Sequence, residues 1–594
     1  MARVGIIVFA HPRQQRDTLR ANGSRIILDS SMAGTSTGIN IHDVLLCYLN
    51  WGFGWYSEVD SPYYVDLWNC QFVQCNNGND MSWGLNLGLH NILYTGPTTA
   101  LTATSGANDY KVHAEHVTAD VTAFGVTPDP SWMTNSIVLE SSGPTATIIS
   151  NSVVTRSPAL KLFQTVGAGS YYLTNGSPYR HAGTPNISPT LLAGLSQKTT
   201  WPPLVYSNTT FSVATNFSPQ ARRDTNAAPD LGYHYDPIDY FFGGATANSN
   251  VTFTAGTAFG WFPIPGSSWT AHGISLANDA VAAFNGTESA PCVFAHCATV
   301  QEGNGAWVGN GGSGGIVSGG TYDPTNPSQL IAQFTRFSNL SFGMNFCDGP
   351  GNQALLIHGT DCELVQPSGG YTLMLAFTNC LFYRSGIGHV SSDSAYSFEG
   401  YREIYRNCTF YGGSLNLYHW ESAPFWRVLI RDCAFDGTSL DFAPPSTWDW
   451  TWLDSDYNAT NNVTFIQEAN LTALLGAHNV YPPGGFNWQA SWLGGFYLPT
   501  NSLLVDKGST SALSLGLYYF TTQTNQVIEA GSTVDIGYHY VATGANGNPI
   551  DSNNDGIPNY LDVIPLWQAA DPLNLSKGAL NIWIDSPANG AVLQ

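Results

Sequence analysis

Thr360-Asp-Cys-Glu-Leu364, Thr378-Asn-Cys-Leu-Phe382, Arg406-Asn-Cys-Thr-Phe410 and Arg431-Asp-Cys-Ala-Phe435, with Ser338-Asn-Leu-Ser-Phe342 ahead of them, are five versions of one pattern. A polar residue is followed by Asn or Asp, then Cys or Leu, a variable residue, and an apolar Leu or Phe. Side chains of a strand alternate between its two faces, so the third and fifth positions of every version point the same way. The Asn/Asp positions are 22, 18, 28 and 25 residues apart. That is the length of one turn of a solenoid whose parallel strands stack about 4.8 Å apart. The pattern predicts an all-β chain wound as a right-handed parallel β-helix.

In that geometry Leu340, Cys362, Cys380, Cys408 and Cys433 form an inward column, and Asn339, Asp361, Asn379, Asn407 and Asp432 form a polar ladder at a turn. Ladder side chains can satisfy backbone groups of the turns. Stacked cysteines with parallel Cβ vectors do not aim at one another, so mostly free, buried thiols are expected. Related segments at Trp68-Asn-Cys-Gln-Phe72, Leu45-Leu-Cys47, Glu115-His-Val117 and Ser136-Ile-Val138 carry the coils into the first third of the chain.

A second repeat lies between the coils. Pro229-Asp-Leu-Gly-Tyr-His-Tyr235 and Val534-Asp-Ile-Gly-Tyr-His-Tyr540 follow the same landmarks in the same order. Upstream are His181-Ala-Gly-Thr184 or Asp506-Lys-Gly-Ser509, then Leu195 or Leu517, then Thr199-Thr200 or Thr521-Thr522. A solenoid has open ends that need covering, so each copy reads as the closure of a module, with Gly232 and Gly537 permitting a turn and His234 and His539 in structural roles. The expected division is a first module over 1–243, a second over 244–541, a calcium-binding linker over 542–578, and the opening strand of an immunoglobulin-like domain over 579–594. Val4 to Ala10 is too short to span a bilayer and is broken off by His11, Pro12 and Arg13. The expected leader peptide therefore lies outside this chain, and both ends read as cut from a longer one.

Composition narrows the partners. With 43% apolar and 13% aromatic residues, the 594-residue chain has ample material for packed cores. Its 61 Gly, 33 Pro and only 10% charged residues suit turn-rich β-structure. A formal net charge of -22 repels phosphate backbones and anionic membranes, which excludes nucleic acid and membrane insertion as expectations. The ten cysteines show no Cys-x-x-Cys spacing, so a cysteine zinc site is not expected.

Asp551-Ser-Asn-Asn-Asp-Gly-Ile-Pro-Asn-Tyr-Leu-Asp562 has calcium-loop spacing. Side chains of Asp551, Asn553, Asp555, Asn559 and Asp562 and the carbonyl of Ile557 can converge on one Ca²⁺, with Gly556 at the sharp turn. Asp562 replaces the usual Glu, and Pro558 disfavours an EF-hand pair. The loop resembles thrombospondin type-3 or dockerin-like repeats that stiffen linkers. Together with Gly516-Leu-Tyr-Tyr-Phe-Thr-Thr522 and the Gly-Tyr-His-Tyr closure, it makes the ending of the chain similar to large bacterial surface proteins with pectin-lyase-like β-helices. The resemblance covers about residues 180 to 575 and implies that fold and an extracellular or cell-surface setting.

Enzyme chemistry has few places to reside. Gly311-Gly-Ser313-Gly-Gly315 matches a nucleophile elbow only literally, lying in a Gly-rich stretch with no helix after it. His113-Ala-Glu-His116 lacks the helical spacing of zinc proteases. Ala271-His-Gly-Ile-Ser275 resembles one polygalacturonase motif, but the Asn-Thr-Asp, Asp-Asp and Arg-Ile-Lys elements that accompany it are missing.

The best catalytic candidates are Glu399, Arg402, Glu403 and Arg406, with Arg427 and Arg431 each expected one coil beyond an Arg, and Glu421 and Asp432 nearby. Their guanidinium groups suit an anionic sugar, and Tyr418, His419, Trp420 and Trp426 offer stacking surfaces. Trp448, Trp450 and Trp452, beside Asp454 and Asp456, form a second such patch. The first expectation is a non-catalytic surface protein presenting a face to a polysaccharide or cell-surface glycan. The alternatives are a polysaccharide lyase or glycoside hydrolase acting between Glu399 and Arg431, and a structural stalk.

Overall fold

The computed structural model describes residues 17–20, 25–29, 39–47, 51–56, 63–81, 85–96, 99–103, 110–125, 131–140, 148–155, 161–262, 273–303, 317–319, 326–338, 355–365, 374–391, 400–419, 426–443, 453–465 and 476–562. Short strands, many of them burying every second residue, pair in parallel with the strand one repeat later. One set runs through Ile39–His42, Tyr63–Trp68, Leu85–Thr95, Lys111–Val121 and Trp132–Thr134, with a second sheet from Arg25–Asp29 to Ala123–Gly125. The other set comprises a ten-stranded sheet from Leu204–Ser207 to Ala459–Asn461, a nine-stranded sheet from Thr215–Phe217 to Leu453–Asp456, and two four-stranded sheets. The chain is thus all-β, with solenoid-like stacks of parallel sheets. The ten-stranded sheet runs on through residue 243, because Leu204–Ser207 pairs with Tyr240–Gly243 and that strand pairs with Ala258–Trp261. No helix among the described residues is long and apolar enough to cross a membrane.

Inward positions stack on their equivalents in the next repeat. Phe253 lies on Phe217 at 4.9 Å and on Phe284 at 4.4 Å between ring centroids, and Phe410 lies on Phe382 at 4.3 Å and on Phe435 at 4.8 Å. These separations match the strand spacing of a sheet, so ring contact comes with the register. The thiols of Cys362, Cys380, Cys408 and Cys433 are free and fully buried, as the column predicts. Each donates to the carbonyl two residues before it, at 3.2 to 3.3 Å, holding the strand where it enters the turn.

The ladder is also present, with one correction to its start. Asp361, Asn379, Asn407 and Asp432 each adopt positive φ, between 50° and 59°, and the strands before them pair in the expected register. Phe334, not Asn339, precedes Asp361 in this series: its φ is 42°, and Gln333 pairs with Thr360. Thr335, buried, takes the inward place assigned to Leu340, because Arg336 and Phe337 pair with Glu363 and Leu364. Asn339 and Leu340 themselves lie outside the described residues. In the earlier repeats Asp43, Asn69, Asn91, His116, Asn135 and Asn151 occupy the same left-handed turn, with φ from 46° to 59°.

Candidate functional site

Each Gly-Tyr-His-Tyr segment lies along one ladder, and the two copies share their main backbone contacts. Asn91 Oδ1 accepts from His234 N at 2.7 Å while Asn91 Nδ2 donates to His234 O at 2.9 Å. Asn379 does the same for His539, at 2.7 and 2.9 Å. Thr118 Oγ1 accepts from Tyr233 N at 2.8 Å and Thr409 Oγ1 from Tyr538 N at 2.9 Å. Gly232 and Gly537 carry φ of 84° and 110°. A Cβ there would stand 2.5 Å from Thr118 Oγ1 or 2.9 Å from Thr409 Oγ1, so both conformation and space call for glycine. Tyr235 stacks on Tyr172 at 4.4 Å, and Tyr540 on Tyr497 at 4.2 Å.

Behind each His lies a buried acid network that the sequence did not reveal. In the first copy, His234 Nε2 is 2.8 Å from Asp224 Oδ2, which also accepts from Asp230 N at 2.6 Å. Asp230 in turn accepts from Thr200 Oγ1 at 2.5 Å, Arg180 Nη1 at 3.1 Å and His181 N at 2.8 Å. Burial opposes ionisation of Asp224, yet the hydrogen bond and charge of His234 pull its pKa down to about 2. In the second copy, His539 Nε2 is 3.4 Å from Glu529 Oε1, and Asp535 accepts from Thr522 Oγ1 at 2.5 Å and Asp506 N at 2.7 Å. Val505 stands in sequence where Arg180 stands. Burial, then the neighbouring Glu529 charge, pushes Asp535 up to about 7, and burial does the same to the ladder's Asp361.

His181, Asp224 and Asp230 bring donor atoms within 4.8 Å of one another. Both carboxylates are already engaged by Arg180, Thr200, His234 and backbone amides, so this group works as part of the closure. His234 and His539 are fully buried. Backbone bonds at and just before them hold each segment against three successive turns of the stack.

The candidate calcium loop follows the second closure directly. Gly556 N donates to Asp551 Oδ2 at 3.0 Å, Asp555 N to Asn553 Oδ1 at 3.2 Å, and Ile557 N to Asp555 Oδ1 at 2.8 Å. Asn553 Nδ2 donates to Asp555 Oδ2 at 3.1 Å and Asp562 Oδ2 at 3.4 Å. Side chains from positions 1, 3, 5 and 12 therefore gather inside one turn. Asp551 Oδ1 is buried without a hydrogen-bond partner, and Asp562 has a raised pKa, from burial and then from the charges of Asp555 and Asp551. An orphaned oxygen and repelling carboxylates are what a hard divalent cation relieves. Asn559 differs from the expected donor role: it braces the turn, accepting from Ser552 N at 2.8 Å and donating to Ser552 Oγ at 2.7 Å. Tyr560 anchors the loop, its hydroxyl accepting from Glu288 N at 2.9 Å and its ring 5.4 Å from Phe334.

The expected sugar-binding cluster is only partly assembled. Arg406 does pair with Arg431 in register, but the register shifts between Tyr401 and Glu403, so Arg427 lies opposite Tyr401 and not opposite Arg402. Arg427 is exposed. Arg406 Nε is 3.4 Å from Asp432 Oδ2, and its Nη2 donates to Ser509 Oγ at 3.3 Å. Arg431 Nη2 is 2.8 Å from Asp454 Oδ1. Glu403 turns inward and is fully buried beside Tyr405. Glu399, Trp420, Glu421, Trp448, Trp450 and Trp452 lie outside the described residues, as do the side chains of Arg402, Tyr418, His419 and Trp426.

The chain matches no protein-family model and no curated protein.

Proposed function

We propose that the chain is a non-catalytic scaffold of an extracellular or cell-surface protein: a right-handed parallel β-helix in two modules that presents a carbohydrate-binding or adhesive face, with Ca²⁺ fastening the end of the second module. The observation that carries this reading is the loop from Asp551 to Asp562, where an orphaned carboxylate oxygen and a crowded set of acids sit in a turn pinned by Tyr560. In it, Asp551, Asn553, Asp555 and Asp562 hold the ion with the Ile557 carbonyl, and Asn559 shapes the turn. Its resemblance to linker-stiffening repeats supports a structural role for the ion.

The non-catalytic side rests on how the reactive side chains are used. The buried His-acid pairs serve closure, Arg406 and Arg431 neutralise Asp432 and Asp454, and Glu403 faces the interior.

Calcium should raise the melting temperature by several degrees, since an ion at a hundred times its Kd adds about 2.7 kcal/mol. Asp551→Ala and Asp562→Ala should abolish that rise, and an unchanged rise in both variants would sink the calcium assignment. For the face, retention on a panel of acidic and neutral polysaccharides is measured alongside new reducing or unsaturated ends. Retention without new ends supports the scaffold. Cleavage that disappears in an Arg402→Ala/Arg427→Ala double variant would replace it with an enzyme.

A further inference from the structure

We infer that the outward face of the first module carries a site for a first-row divalent transition metal, zinc above all, built over Gly88 by Asp66, His90 and His113 with Glu115 behind them. Period-two alternation buries Leu67, Leu87, Leu89, Val112 and Ala114 and sends the residues between them outward. Register then sets Asp66, Gly88 and His113 in one row across three strands, and Trp68, His90 and Glu115 in the next. The centre of this array has no side chain. A Cβ on Gly88 would lie 1.9 Å from Asp66 Oδ1 and 2.8 Å from His90 Nε2, because both groups lean over the glycine.

Those two donors are 3.5 Å apart. Two ligands bonded at about 2.0–2.1 Å in a tetrahedral shell stand roughly 3.4 Å from each other, so Asp66 and His90 already span one edge of a zinc tetrahedron. The opposite ring nitrogen, His90 Nδ1, is 2.9 Å from Glu115 Oε2. Glu115 is itself buried, and its other oxygen accepts from Ser188 N at 3.2 Å. A fixed carboxylate on the far nitrogen is how ligating histidines are oriented, leaving Nε2 for the metal. Trp68 stacks on His90 at 3.9 Å and holds the ring plane.

His113 is the third ligand. Its side chain is 54% exposed, with Nε2 3.7 Å from Glu115 Oε1. It lies directly across Gly88 from Asp66, so metal binding requires its ring to turn from Glu115 toward the glycine. Three protein ligands leave the fourth position open to water or to an anionic group of a bound molecule. Oxygen-only loops such as Asp551 to Asp562 prefer hard ions, whereas imidazole selects zinc and its neighbours, so the two sites separate by metal.

The test is a titration of the metal-free chain with Co²⁺, read by visible absorption, with Zn²⁺ added in competition and excess Ca²⁺ present throughout. One equivalent of tetrahedral Co²⁺ displaced by Zn²⁺ is expected, undisturbed by Asp562→Ala. Asp66→Asn, His113→Ala and Gly88→Ala should each weaken binding at least tenfold, and Glu115→Gln by 10–100-fold. Should Gly88→Ala fail to fold, Asp66→Asn and the exposed His113→Ala carry the comparison. Absence of stoichiometric Co²⁺ binding, or binding retained in both of those variants, overturns the site and leaves an ordinary ion pair.

Discussion

The two closures share their backbone and differ in their charges. In the first, the His234 imidazole meets Asp224, which also accepts from Asp230 N, and the Asp230 carboxylate meets the Arg180 guanidinium. In the second, Glu529, His539 and Asp535 repeat the series without the terminal cation. The hydrogen bonds to Asn91 or Asn379, to Thr118 or Thr409, and to Thr200 or Thr522 are unaffected by that loss. Duplication thus preserves the geometry of a closure through neutral hydrogen bonds, while its charge balance drifts. The acid left without a cation keeps its proton to about pH 7.

That contrast can be broken most directly by Arg180→Met, which converts the first closure to the charge pattern of the second. Arg180 and Asp230 are both buried, with side chains 7% and 2% exposed, and removing one member of a buried pair costs about 3–5 kcal/mol. Urea unfolding followed on this variant should show that loss, together with a new decline of stability as pH rises toward neutral. A change below about 1 kcal/mol would mean the pair adds little beyond its neutral neighbours.

Asn91→Ala and Asn379→Ala each remove two bonds to a buried backbone, an expected loss of about 2–3 kcal/mol. Because the geometry is shared, the two variants should agree closely in the same unfolding measurement. A twofold disagreement would show that charge, not the ladder, governs closure.

Smaller effects separate the closures by pH. Asp535 and Asp361 have folded pKa values raised to about 7, so the stability they contribute is complete below their ordinary 3.8 and is lost as pH rises through about 7. His539 is raised too, burial being outweighed by Glu529, and works in the same direction. Asp224, depressed to about 2, stabilises the first closure above pH 3.8 and is lost only as pH falls through about 2. Hydrogen exchange corrected for intrinsic rates should therefore speed up over 534–540 between pH 6 and pH 8, with 229–235 unchanged. Equal behaviour of both segments would refute the charge assignment. Val505→Arg should sharpen the comparison from the other side, flattening that pH dependence with a gain of about 1 kcal/mol or less, since an introduced side chain must also be ordered.

The same difference explains what could be read in advance. The Cys column and most of the Asn/Asp ladder were legible because strand alternation and coil length are local and repetitive. Phe334 escaped because an aromatic residue in a left-handed turn hides the polar signal that marks the others. The stacking of Arg427 failed for a related reason: one register shift after Tyr401 displaces the count. In the loop from Asp551 to Asp562 the spacing marked the candidate donors, although only the fold turned Asn559 toward Ser552.

By itself, the sequence determined the period, the inward residues, the duplicated closure and the twelve-residue acidic loop, all of which follow from alternation, turn chemistry or contiguous spacing. Tertiary structure decided the partners. Asp230 meets Arg180, His90 meets Glu115 and Asn379 meets His539 across separations of 50, 25 and 160 residues. Such pairings depend on the summed lengths of the connections and on single register shifts, which move a side chain by a whole strand or to the opposite face. Which charges are buried, balanced or left for a metal is therefore fixed only when the coils are stacked.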